Sequence, residues 1–143
     1  MNRKYFVIGA CAVAAIAAYA LLRPGPAEEA AQAAPVEGNA MVAIQMPPID
    51  DNAAIGQRIF ENTCALCHGT NAVGNEGSGP PLIHVIYEPS HHADEAFQRA
   101  VAMGVRSHHW RFGDMPPIVG LTRGDVTMVI AYIREIQRAN GIN

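Results

Sequence analysis

After Lys4 the chain has no lysine, and its formal net charge is −3. A nucleic-acid binder would present a basic patch, so that class of partner is set aside. Cysteine is scarce too. There are three in 143 residues, two of them close together and the third, Cys11, inside an apolar N-terminal run. No disulfide is expected, so cysteine pairing says nothing of the compartment. Strand-like alternation and internal repeats are both lacking, which leaves an all-α chain with room for one domain.

What is present centres on Cys64-Ala65-Leu66-Cys67-His68. Two cysteines separated by two residues and followed at once by histidine form the attachment signature of c-type haem. The thiols of Cys64 and Cys67 add across the haem vinyl groups, and His68 then supplies an imidazole nitrogen to the iron as proximal ligand. Two competing readings fit less well. A thioredoxin-like dithiol wants a βαβ setting, and a tetrahedral zinc site needs a second ligand pair, whereas no cysteine comes after Cys67.

Arg3 and Lys4 precede eighteen uncharged residues, Tyr5 to Leu22. As a helix these would span about 27 Å at ~1.5 Å per residue, close to the roughly 30 Å hydrocarbon core of a bilayer. The charges before the run and the Arg23-Pro24-Gly25-Pro26 break after it orient residue 1 to the cytoplasm. An uncleaved anchor fits the length. A signal peptide cut after Ala18-Tyr19-Ala20 or Ala31-Gln32-Ala33 is the alternative, with a lipid-modified Cys11 a third. All three export the C-terminal domain. Residues 1–22 are thus the anchor or signal and 23–52 a Pro- and Ala-rich linker, in which the apolar Met41–Met46 is expected to lie against the folded domain.

Residues 53–143 read as that domain, three main helices joined by long loops. The first is expected from about Ala53 to Cys67, capped by Asp51 or Asn52, with Ile55, Ile59 and Phe60 on one face. The second covers Asp94 to Met103, with Phe97 and Val101 inward and Gly104 as its stop. The third opens on Thr122, with Asp125 where a capping box carries Glu. It buries Val126, Val129, Ile130, Ile133 and Ile136 at helical spacing and ends at Gly141. Loops this long need a rigid organiser, and a covalent haem is one.

A low-spin, electron-carrying iron needs a ligand on its other face. Met103 and Met128 fall in expected helices and read as core. Met115 lies in the non-helical Phe112–Ile118, where Pro116 and Pro117 stiffen the backbone. A bis-histidine arrangement through His108 or His109 is the alternative. Trp110 and Arg111 are candidates to bond a haem propionate. His91 and His92 read as a solvent-exposed pair at a helix start rather than as copper ligands.

Gly56, Phe60, the Cys64–His68 motif, Gly79-Pro80-Pro81-Leu82, the Met115-Pro116 loop and Tyr132 occur in the order seen in small bacterial monohaem proteins. Residues 53–143 resemble the class I cytochromes c. The resemblance implies that the first and last helices cross at Gly56, with Phe60 and Tyr132 packed there. It implies too that the Pro80 carbonyl accepts a hydrogen bond from His68; the residues themselves point to His68 and Met115 as the ligands of the haem iron. A glycine inside a helix costs about 1 kcal/mol against alanine, which close backbone approach would offset. The sequence departs from the mitochondrial pattern. From residue 53 it has seven arginines, eight carboxylates and no lysine, so a lysine ring cannot be the docking device.

The expected function is single-electron transfer without enzymatic bond chemistry, by a domain tethered to the inner membrane and facing the periplasm. The alternative to the tether is a soluble periplasmic protein after signal cleavage. Donors would be a quinol-oxidising complex or a dehydrogenase, and acceptors a terminal oxidase or reductase. Two other readings stay open. One is a fixed electron-transfer subunit of a membrane oxidoreductase, the other a haem enzyme or gas sensor with a labile sixth ligand.

Overall fold

The computed structural model describes residues 39–143. The expected anchor, Tyr5 to Leu22, lies outside them. Among the described residues no helix is long and apolar enough to cross a membrane. The chain there forms α1 (Asp51–Thr63), the single turn α2 (Ala65–His68), α3 (Asp94–Met103) and α4 (Arg123–Ala139), with 3-10 turns at Thr70–Ala72 and Val85–Tyr87. Two isolated antiparallel bridges, Asn75 with Gly79 and Val105 with Met115, are the extent of extended pairing among the described residues.

The expected first helix is divided at Cys64. Its N–H closes α1 by donating to the Phe60 carbonyl at 2.7 Å. Its φ of −110° then turns the axis, and its own carbonyl accepts from His68 N at 2.9 Å to start α2. At the other end the cap is Asp50, without a side-chain cap bond. Asp51 and Asn52, the expected alternatives for the cap, instead lie in the first turn, where the charge of Asp51 meets the positive end of the helix dipole.

Ala53, Gly56 and Phe60 form the buried face of α1. Ile55, expected beside Phe60, is 42% exposed. The reason is the contact at Gly56. A Cβ there would overlap the Met128 carbonyl and lie 2.9 Å from Val129 N, so the backbones of α1 and α4 touch, and this fixes which side of α1 turns inward. One turn on, the Phe60 and Tyr132 rings pack at 5.7 Å between centroids, tilted by 54°. Such a pair contributes roughly 0.5–1.5 kcal/mol beyond its buried area.

On α4 the full expected stripe, Val126, Val129, Ile130, Ile133 and Ile136, is buried. The capping box is formed with aspartate. Asp125 N donates to Thr122 Oγ1 at 3.2 Å and Thr122 N to Asp125 Oδ2 at 2.8 Å; the Thr122 hydroxyl, donating to the same Oδ2 at 2.7 Å, and then the Thr122 N–H hold the Asp125 carboxyl below its ordinary range. α3 spans the expected residues, with Phe97 and Val101 half-buried. Met103, expected in the core, is 66% exposed, because it lies off the side of α3 that carries Phe97 and Val101.

The apolar segment ahead of α1 does pack. Ile44 is buried in the core, with Val42, Met46 and Ile49 against it. Gln45 N donates to Asn140 Oδ1 and Asn140 Nδ2 returns a bond to the Gln45 carbonyl, both at 2.8 Å.

Two polar side chains of α4 hold the long loops from within. Gln137, fully buried, donates to the carbonyls of Leu82 and Tyr87 at 2.8 and 3.1 Å. Arg134, also buried, donates to Asp94 Oδ1, to the carbonyls of Tyr87 and His92 and to Gln137 Oε1, and stacks over Phe97.

Gly56→Ala should lower the melting temperature of the haem-loaded protein. Overpacking costs about 1–3 kcal/mol and outweighs the ~1 kcal/mol gained in helix propensity. A variant as stable as the parent would show that the helices do not depend on this contact.

Candidate functional site

Cys64, Cys67 and His68 are brought to one turn by the break that separates α1 from α2. Cys67 N donates to the Cys64 carbonyl at 3.1 Å, and a three-residue spacing on a helix puts both thiols on one side. Both are free thiols, Cys64 half-buried and Cys67 exposed. Burial pushes the Cys64 thiol up to about 11, with Cys67 and Glu61 adding to the rise. A reactive redox dithiol needs a depressed pKa, so this environment speaks against thioredoxin-like chemistry. Leu66, between the cysteines, is 85% exposed.

His68 is oriented by the loop after it. Gly69, at φ +73°, reverses the chain, and Gly74 N donates back to the His68 carbonyl at 2.7 Å. Residues 75–79 then close a tight turn, with Asn75 and Gly79 exchanging two backbone bonds of 3.0 Å and Asn75 Nδ2 reaching the Leu66 carbonyl at 3.1 Å. A Cβ on Gly79 would lie 2.6 Å from the Cys67 carbonyl oxygen. Only glycine permits this approach, and it delivers the Pro80 carbonyl to within 2.9 Å of His68 Nδ1. A carbonyl only accepts, so Nδ1 carries the proton and Nε2 keeps its lone pair, the arrangement a metal-ligating histidine requires. Burial holds the His68 pKa below its ordinary value, partly offset by the Pro80 bond, which keeps the ring neutral.

Met115 sits on a different support. Its N–H and carbonyl pair with Val105 at 2.9 Å each. Gly104, at φ +76°, lets the chain leave α3 where a Cβ would meet the Met115 carbonyl at 2.5 Å, and Ile118 N donates to the Val101 carbonyl. The side chain is half-buried. Met128 is half-buried within α4. Trp110 packs edge-on to His84 and stacks on Phe112. Its indole N–H is buried and directed toward the Tyr87 hydroxyl, where it partly offsets the burial that pushes that hydroxyl up to about 12, but it closes no hydrogen bond of normal geometry. Arg111 is exposed, as are His108 and His109, whose rings gather with those of His91 and His92.

A model of the family described as "Cytochrome c" matches residues 53–137, more than half of the chain. The chain belongs to the cytochrome c family. Neither the curated proteins nor the solved structures contain a significant match. Membership carries covalently attached haem c and haem-based electron transfer, and with it redox protein partners. The residues of this cytochrome c domain fit that group. Two thiols stand three residues apart on one turn, an imidazole has its far nitrogen tied to a carbonyl, and a buried indole N–H closes no hydrogen bond of normal geometry.

Sequence reasoning missed Arg134 and Gln137, which hold the loops around this site. Charge and amide alone mark a solvated position, and only their spacing beside the stripe on α4 hinted otherwise.

Gly79→Ala should push the Pro80 strand off Cys67, break the His68 bond and reduce the yield of haem-loaded protein several-fold, since supporting bonds to a ligating histidine are worth about 10–100-fold in metal affinity. Absorbance per unit of protein measures this. Parental yield would mean that the strand can move without loosening His68.

Proposed function

We propose that the domain is a single-electron carrier in which Cys64 and Cys67 hold haem c through thioethers and His68 and Met115 fill the axial positions. The His68–Pro80 hydrogen bond carries this reading, because it fixes the ring with its proton on Nδ1, while burial favours the neutral form whose Nε2 is bare. The haem iron, when bound, supplies the one-electron couple. His68 contributes a neutral nitrogen donor. Met115 contributes a soft thioether, which favours the reduced metal, from a loop fixed by Val105, Gly104 and two prolines. Held between two such side chains, the group would exchange electrons with partners rather than bind substrates. Against His108 or His109 as ligand stands their grouping with two other histidines. The buried indole N–H of the half-buried Trp110, with Arg111 beside it in sequence, suits a haem propionate.

The same reading places the domain on the periplasmic side of the inner membrane. It would be tethered through Tyr5–Leu22 and a linker, between a quinol-oxidising complex or dehydrogenase and a terminal oxidase or reductase. The support is the uncharged run behind Arg3 and Lys4.

Met115→Ala should leave the haem attached, lower the reduction potential and let the reduced protein bind carbon monoxide. His108→Ala and His109→Ala should change neither property. The reverse pattern would transfer the sixth position to histidine.

The tethered protein should stay with membranes through a salt wash and be released by detergent, since apolar insertion is indifferent to ionic screening. A soluble mature form beginning at Leu21 or Ala34 would rule the tether out.

A further inference from the structure

Four of the six histidines of this chain converge on one patch from two sequence-distant loops. His91 and His92 come from the turn before α3, His108 and His109 from the loop after the Val105 bridge. The His91 and His92 rings stack at 4.7 Å between centroids. His109 stands edge-on to both, at 5.1 and 5.2 Å, and 4.3 Å from His108. One potential ligand nitrogen from each of His91, His92 and His109 lies within 4.8 Å of the other two.

We propose that His91, His92 and His109 form a binding site for one divalent transition-metal ion, separate from the haem ligands. His92 is the preset member. Its Nδ1 bonds the Ile86 carbonyl at 2.6 Å, which leaves Nε2 as the donor, and Arg134 grips its carbonyl at 2.6 Å. A carbonyl behind the ring is the support that ligating histidines usually have. The rings of His91 and His109 make no hydrogen bond among the described residues and are exposed, free to rotate onto an ion at about 2.0–2.1 Å. His108, its ring centroid 4.3 Å from that of His109 and its Nδ1 on the Arg106 carbonyl at 2.8 Å, lies beside the three; water completes the shell.

The chemistry selects the ion. Imidazole sets suit zinc, copper and nickel, and calcium and magnesium prefer oxygen. Affinity should run copper(II) above zinc(II). An ion here would clamp the turn before α3 to the loop that runs on through Trp110 to Met115. The site rests on the reading that Met115, rather than His108 or His109, is the second side chain on the haem iron.

The test is calorimetric titration of untagged, haem-loaded protein with zinc(II) alone and copper(II) alone. One ion per chain is expected, with His91→Gln and His109→Gln each weakening affinity at least tenfold while haem absorbance and melting temperature stay as in the parent. Electron paramagnetic resonance of the copper(II) form should show nitrogen ligation that is altered in both variants. Zinc should also slow amide exchange in residues 105–112. Absence of one-to-one binding, or binding unchanged in both variants, overturns the site. If one variant fails to fold, the other and the copper spectrum of the parent protein still decide.

Discussion

The backbones of α1 and α4 meet at Gly56, where any side chain would overlap the Met128 carbonyl. From that contact the geometry of the haem motif is set link by link. It puts Phe60 on Tyr132, and the Tyr132 hydroxyl, its pKa raised by burial and then by Glu61, donates to Asn71 Oδ1 at 3.0 Å. Asn71 N is held by Glu61 Oε1 at 3.0 Å, which locks the 3-10 turn after His68. Leu82 N then donates to the Ala72 carbonyl at 2.9 Å, and the strand so fixed carries Pro80 to His68. A loosened helix crossing would therefore be felt at an imidazole twelve residues along the chain from it.

A second support comes from the polar edge of α4. Buried charges and amides are costly unless bonded, and Arg134 and Gln137 meet that cost by donating to carbonyls of residues 82–92 that no helix or sheet satisfies. The loops thus have an organiser within the polypeptide in addition to the haem. The same arginine reaches the carbonyl of His92, so the anchor of the loops is also the footing of the histidine cluster.

Features encoded locally were legible in the sequence. The Cys64–His68 spacing, the stripe and capping box of α4 and the span of α3 each depend on residues within a few positions of one another. The Gly56 crossing and the Pro80 bond were legible by resemblance, and the geometry gives both a cause. What was not legible depends on partners far along the chain. Ile55 suited the buried face of α1 by periodicity, but a backbone contact with α4 decided the rotation and left only Ile59 and Phe60 of the expected three against the core. Met103 looked apolar enough for the core and is not in it. The histidine pairs were each visible and their meeting was not, since seventeen positions and a helix separate His91 from His108.

The account rests on the turn from Cys64 to His68 being a platform for covalent haem. Mass spectrometry of the proteolytic peptide that spans Asn62 to Gly69, from protein purified without reductant, tests this most directly. One haem joined through both cysteines, with no free thiol, is the predicted result. A peptide with both thiols free, or with Cys64 and Cys67 joined to each other, would contradict it.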